Sequence, residues 1–251
     1  MRASISLGFS LAGSALAHPA VTRDPSDVSG IHIVGGTRAT LGEFPWVVNV
    51  DGCGGALYSR QIVLTAAHCV PDTGPVNNIT MTFGVVDMED PAAVKINSTS
   101  VRNSGTTADW ALVKLATPAP DSIPTLQIAK DNSYDKGLFN IVGWGDIKEG
   151  ARQTQRYLLK ADVPFVPDKT CQAAYPYFKP TEEICAAWPQ GGVDACQNDS
   201  GGPMFRRDSG GAWIQVGIVS WGEGCARPGK PGVYVRVSAV AQMIEEAASK
   251  L

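Results

Sequence analysis

Leu64-Thr-Ala-Ala-His-Cys69 puts a histidine at the end of a short apolar run and beside a cysteine, a setting in which a disulfide would hold the imidazole on fixed backbone. Imidazole, with an ordinary pKa of about 6.5, takes and returns protons near neutrality. The chain has 3 histidines, and His18 and His32 fall in a leader that the mature protein is expected to lose. Histidine-dependent chemistry would therefore rest on His68. A solitary histidine is more often a surface or satisfied core residue, but this local context favours a general base. A second group is Ser200, in Asp194-Ala-Cys-Gln-Asn-Asp-Ser-Gly-Gly-Pro203, where Gly201 and Gly202 permit tight turns and Cys196 anchors the loop. Its blander reading is a glycine-rich turn. The third group is Asp109, which opens the apolar run Ala108-Asp-Trp-Ala-Leu-Val-Lys-Leu115. A carboxylate at a core boundary is costly unless hydrogen-bonded, so His68 is its expected partner. Hydroxyl, base and orienting carboxylate are what acyl transfer by a serine needs, completed by donors for the oxyanion.

The elements that must position these groups read as strands. From Ile33 onward, short β-branched runs alternate with Gly, Pro, Asn and Asp, at 46–50, 61–64, 139–142, 213–220 and 232–237. That spacing predicts an all-β sandwich or barrel. The exception begins at Ser238, a candidate cap, where Val240, Ile244 and neighbouring alanines form a helical stripe without proline. The 251 residues, 44% hydrophobic, can bury one large domain or two small lobes. A formal charge of -3 gives no electrostatic reason to expect nucleic acid or an anionic membrane as partner.

Residues 1–17 read as a secretory signal: Met1-Arg2 gives a positive start, an apolar small-residue stretch follows, and Ala15-Leu16-Ala17 offers a cleavage site. Residues 18–32 are polar and aperiodic, as a propeptide would be, leaving 33–251 as the folded domain. No later stretch reaches the ~18 uninterrupted apolar residues of a membrane span, so a secreted, extracellular protein is expected. The 6 cysteines, at 53, 69, 171, 185, 196 and 225, form an even set that an oxidising compartment would pair as disulfides. Zinc is disfavoured, because no C-x-x-C pair exists and only His68 would survive processing.

These residues together resemble the chymotrypsin-like serine proteases, and their trypsin branch in particular. The resemblance runs in order through Ile33-Val-Gly-Gly36, Cys53-Gly-Gly, Thr65-Ala-Ala-His-Cys69, Asp109-Trp-Ala-Leu112, Gly143-Trp-Gly145, Asp199-Ser-Gly-Gly-Pro203, Ser220-Trp-Gly222 and Pro231-Gly-Val-Tyr234. It implies an all-β fold of two six-stranded antiparallel β-barrels with a C-terminal helix and the active site between them. It also implies a catalytic triad of His68, Asp109 and Ser200, an oxyanion hole at the amides of Asn198 and Ser200, and bridges Cys53–Cys69, Cys171–Cys185 and Cys196–Cys225. The pocket floor would be Asp194, with Gly222 and Gly232 leaving the walls open, which selects Arg or Lys. Activation would free the amino group of Ile33 to pair with Asp199.

Two residues depart from the family pattern. Asn198 stands where glycine is usual; its amide remains, asparagine tolerates positive φ, and a side chain is expected to project near the cleft on the leaving-group side. His32 stands where Arg or Lys usually permits tryptic activation, so a different processing protease is expected. Asn78-Ile-Thr80 and Asn97-Ser-Thr99 are glycosylation sequons expected on surface loops, whereas Asn198-Asp-Ser200 is discounted because it lies in the presumed site. Asp87, Glu89 and Asp90 lack a calcium-loop pattern, and no metal or cofactor is expected. The expected partners are protein or peptide substrates and protein protease inhibitors, on a monomer. The rival reading is a catalytically weak or silent homologue that uses this fold to bind protein.

Overall fold

The computed structural model describes residues 33–105, 108–151 and 153–251; the expected signal and propeptide, 1–17 and 18–32, lie outside them. In chain order the strands are β1 (Thr37–Arg38), β2 (Val47–Val50), β3 (Cys53–Ser59), β4 (Ile62–Thr65), β5 (Gly74–Pro75), β6 (Thr80–Phe83), β7 (Val94–Asn103), β8 (Ala111–Leu115), β9 (Gln127–Ile128), β10 (Leu138–Gly143) and β11 (Leu159–Val166). Helix α1 (Asp168–Ala174) follows, then β12 (Glu183–Ala186), β13 (Pro203–Arg207), β14 (Trp213–Trp221), β15 (Gly232–Arg236) and helix α2 (Val237–Ala248).

Two closed six-stranded antiparallel barrels result. In the first, the order β7-β6-β2-β3-β4-β8 closes through β7 with β8; in the second, β11-β10-β13-β14-β15-β12 closes through β11 with β12. Closure leaves no barrel edge open to another chain. Strand β1 precedes the first barrel in sequence yet pairs with β11 of the second.

Packing fixes one barrel against the other. Phe44 and Trp46 meet Phe205 and Trp213 with ring centroids 5.2–6.0 Å apart, edge-on except for the tilted Trp46–Trp213 pair. The apolar stripe of α2, Val240, Ala241, Ile244 and Ala247, is buried in one cluster with Leu64, Trp110 and Leu112 of the first barrel and Ile218 and Val235 of the second. Burying that stripe, at roughly 1.5–3 kcal/mol for each large side chain, is what holds a 12-residue helix that would be marginal alone. The helix starts one residue before the expected cap, and no side chain caps it, so Ser238 lies inside the first turn. Helix α1 is a second helix beyond the one expected. Its 7 residues bury only Cys171, too little periodicity to show in sequence.

The three disulfides are Cys53–Cys69, Cys171–Cys185 and Cys196–Cys225. Among the described residues no helix is long and apolar enough to cross a membrane, and no group of His, Cys, Asp and Glu is arranged to hold a metal ion. Asp87 is held by two hydrogen bonds from the Arg156 guanidinium, at 2.8 and 2.7 Å, and Glu89 pairs with the same cation.

Candidate active site

Register places His68 and Asp109 at one end of the first barrel. Strands β4 and β8 pair antiparallel with Thr65 opposite Ala111, so the chain leaving β4 and the chain entering β8 emerge together. His68 follows on a 3₁₀ turn, Ala67–Cys69, fastened by the Cys53–Cys69 bridge and by Asn103 Nδ2, which donates to Ala67 O at 2.9 Å. Asp109 answers with both oxygens: Oδ1 accepts the His68 backbone N–H at 3.0 Å and Oδ2 lies 2.8 Å from Nδ1 of the ring. A carboxylate oxygen at that distance fixes the proton on Nδ1 and leaves Nε2 free to accept. The hydrogen bond to Asp109 raises the His68 pKa, against the opposing effect of desolvation. Burial pushes Asp109 up, and the hydrogen bonds from His68 and Ser220 outweigh it, so the carboxyl sits below its ordinary range.

The Ser220 contact comes from the second barrel: Ser220 Oγ donates to Asp109 Oδ2 at 2.5 Å. Ser220 has no role legible in the sequence: a hydroxyl two residues before Gly222 offers no local signal of a carboxylate 111 positions away. Ser200 is brought to the same place by β13, which pairs with β14 so that Pro203 faces Ile218. The Ser200 carbonyl accepts Gly54 N–H at 2.7 Å, and Sγ of Cys69, next to His68, lies 3.5 Å from it. This approach of the barrels depends on Gly201, with φ 79°, where a Cβ would stand 2.2 Å from Thr65 Oγ1 and 2.6 Å from Gly54 O. No hydrogen bond within 3.5 Å joins Ser200 Oγ to the ring among the described residues, as is common before substrate tightens such a site.

Two hollows flank these groups. A cleft of about 730 Å³ has His68, Asp109 and Asn103 on one wall and Lys179, Glu182 and Trp221 on the other. A smaller pocket of about 220 Å³ runs from Ser200 to Asp194 past Gly222, Gly232 and the Cys196–Cys225 bridge. Asp194 is 3% exposed. Among the described residues its carboxylate accepts from the amides of Ala195, at 2.9 Å, and Ala226, at 3.2 Å, and no cationic side chain pairs with it. Desolvation pushes its pKa to about 7. Gly232 keeps the floor open: a Cβ there would stand 2.7 Å from Asp194 Oδ1.

A model of the Trypsin family matches residues 33–244. The chain is 51% identical over 225 residues to a "Trypsin-like protease" of Streptomyces glaucescens, covering 87% of this chain and 83% of that protein. This chain belongs to the trypsin family of serine proteases. It is also 37% identical to a "Trypsin" of Saccharopolyspora erythraea, over 85% of this chain and 97% of that one. With "Transmembrane protease serine 9" of Rattus norvegicus it shares 35% identity over 83% of this chain and 21% of that protein.

Other positions singled out by the resemblance to the trypsin family fall as follows. Ile33 is 1% exposed, packed in a cluster with Phe139, Ile141 and Val219, and Val34 bridges to Asp194. Asp199 is fully buried and accepts Cys196 N–H at 2.9 Å and Gly145 N–H at 2.8 Å; desolvation pushes its pKa to about 7. The two are not ion-paired in the uncleaved chain, where the Ile33 nitrogen is a peptide amide. Asn198 has φ 70°, the left-handed conformation expected of it, but its side chain does not stand free at the cleft: Nδ2 donates to Asp146 Oδ1 at 3.0 Å. Both sequon asparagines are exposed, Asn78 between β5 and β6 but Asn97 within strand β7 rather than on a loop.

Proposed function

We propose that this chain is a secreted serine endopeptidase that cleaves peptide bonds after Arg or Lys. Ser200 Oγ attacks the scissile carbonyl while its proton passes to His68 Nε2, and Asp109 stays ionised to steady the imidazolium. The tetrahedral oxyanion takes hydrogen bonds from the amides of Asn198 and Ser200, each such donor being worth about 2.7–4 kcal/mol in the transition state. His68 then protonates the leaving amine, the C–N bond breaks, and an acyl-Ser200 ester remains. Water, deprotonated by His68, attacks that ester; the C–O bond to Ser200 breaks, His68 gives its proton to Ser200 Oγ, and the acid product leaves.

The observation that carries the specificity is Asp194, a carboxylate 3% exposed with amides but, among the described residues, no cation to face it. An unpaired buried carboxylate is costly, and a guanidinium or ammonium entering from the Ser200 end offsets that cost, whereas an apolar side chain would leave it in place. The names carried by the two bacterial relatives agree with this reading. Upstream, residues 1–17 act as the signal and 18–32 as a propeptide; cleavage after His32 by another protease frees Ile33 to pair with Asp199, and Asn78 and Asn97 accept glycans where the host supplies them. The test is hydrolysis of Arg, Lys and Phe peptide amides by the processed protein. Cleavage after Arg and Lys alone supports the proposal; equal or preferred cleavage after Phe refutes it.

A further inference from the structure

We infer that Asp146 is a positioning residue of the oxyanion hole, holding the 197–198 peptide in its anion-binding orientation through the side chain of Asn198. The inference rests on the proposed protease reading and adds a residue to its machinery. In a trans peptide the C=O and N–H point in opposite directions. Gln197 O accepts Asp146 N–H at 2.7 Å, so the Asn198 N–H of that same peptide is aimed away from Asp146. The side chain then doubles the grip, with Asn198 Nδ2 donating to Asp146 Oδ1 at 3.0 Å. Asp146 itself is 0% exposed, and its Oδ1 also accepts Gln153 N–H at 3.1 Å, so the acceptor does not wander.

The second hold answers a cost specific to this chain. Asn198 sits at φ 70°, where an L-residue is disfavoured and glycine is not. Rotating the 197–198 peptide would relieve that strain by carrying φ out of the left-handed region, and it would also turn the N–H away from the oxyanion. A side chain that creates the strain here also supplies the tether against it. The Asn198–Asp146 bond also occupies the nitrogen that the Asn198-Asp-Ser200 sequon would glycosylate.

A double-mutant cycle on the processed enzyme tests this, with kcat and KM for an Arg peptide amide in wild type, Asp146→Ala, Asn198→Gly and the double variant. Asp146→Ala is expected to lower kcat at least 10-fold, within the bound of about 10²–10³ for an oxyanion donor lost outright, with KM little changed. In the Asn198→Gly background the same substitution should cost nothing further, because glycine needs no tether. Asp146→Asn, which keeps an acceptor oxygen, should recover most of the loss. Unchanged benzamidine affinity in each variant shows that fold and pocket are intact, while affinity for a peptidyl-arginine aldehyde, whose adduct carries the oxyanion, should fall with kcat. An equal loss in both backgrounds, or a loss of benzamidine affinity that matches the loss of kcat, would mean that Asp146 acts on the fold or on Asp199, and would overturn the inference. Wild-type kinetics in Asp146→Ala would overturn it too. A wild-type enzyme that binds benzamidine but hydrolyses nothing would instead remove the protease reading on which it stands.

Discussion

Asp194→Ser separates specificity from chemistry. The carboxylate is 3% exposed and among the described residues is met by two amides, so on the proposed reading a bound Arg or Lys side chain supplies the positive charge it otherwise lacks. Removing one member of such a buried pair costs about 3–5 kcal/mol, and at about 1.4 kcal/mol per decade kcat/KM for Arg and Lys amides should fall by roughly 10²–10⁴-fold. Serine is smaller than aspartate, so the 220 Å³ pocket stays open to substrate. Neither His68, Asp109 nor Ser200 contacts Asp194, so acylation by a small neutral ester such as nitrophenyl acetate should stay within about twofold of wild type on the additivity expected of separate sites. Burial raises the folded Asp194 pKa from 3.8 to about 7, so between those values the folded chain holds a proton that the unfolded chain has lost. Stability therefore falls as pH climbs through that window, and the serine variant should lose that part of the slope. The assay is a kcat/KM panel over Arg, Lys and Phe amides. Retention of the Arg and Lys preference in Asp194→Ser would refute the reasoning.

Three further outcomes follow from named contacts. Because hydrogen bonding to Asp109 raises the His68 pKa, kcat/KM should fall as pH drops, with a limb at or above the ordinary imidazole value of about 6.5; a rate constant flat from pH ~5 to ~8 would exclude His68 as the base. Ser220→Ala removes one of the bonds to Asp109 and leaves both from His68, so kcat should fall by no more than about 10-fold with KM unchanged, as steady-state kinetics would show. Arg236→Ala should lower unfolding free energy by about 3–5 kcal/mol in a denaturant titration, since it strands the Asp135 carboxylate, whose side chain is 5% exposed, and also releases Asp168.

The local half of this protein is readable from its residues. The short β-branched runs at 46–50, 61–64, 139–142, 213–220 and 232–237 match β2, β4, β10, β14 and β15 to within a residue or so, because β-branched content and turn residues are local properties. Elimination singles out His68 as a candidate base, and the cost of a carboxylate at a core edge singles out Asp109 as its partner; the two lie 2.8 Å apart. What alternation does not encode is which strand pairs with which. Thr65 opposite Ala111 and Pro203 opposite Ile218 bring the site together, and both depend on closure of distant strands. Ser220 on Asp109 and Asp146 on Asn198 are long-range contacts of the same kind, with sequence separations of 111 and 52. At Asn198 the positive φ is a property of the residue type, whereas the direction of Nδ2 depends on an acceptor brought in by another loop.

The central claim is tested most directly by giving material that starts at Ile33 a matched set of Arg, Lys and Phe peptide amides, beside the Ser200→Ala variant. The account predicts cleavage after Arg and Lys alone, abolished in Ser200→Ala to background. Cleavage that survives in Ser200→Ala, or none from wild-type material proven to start at Ile33, would contradict it and favour a family member that binds protein without cutting it.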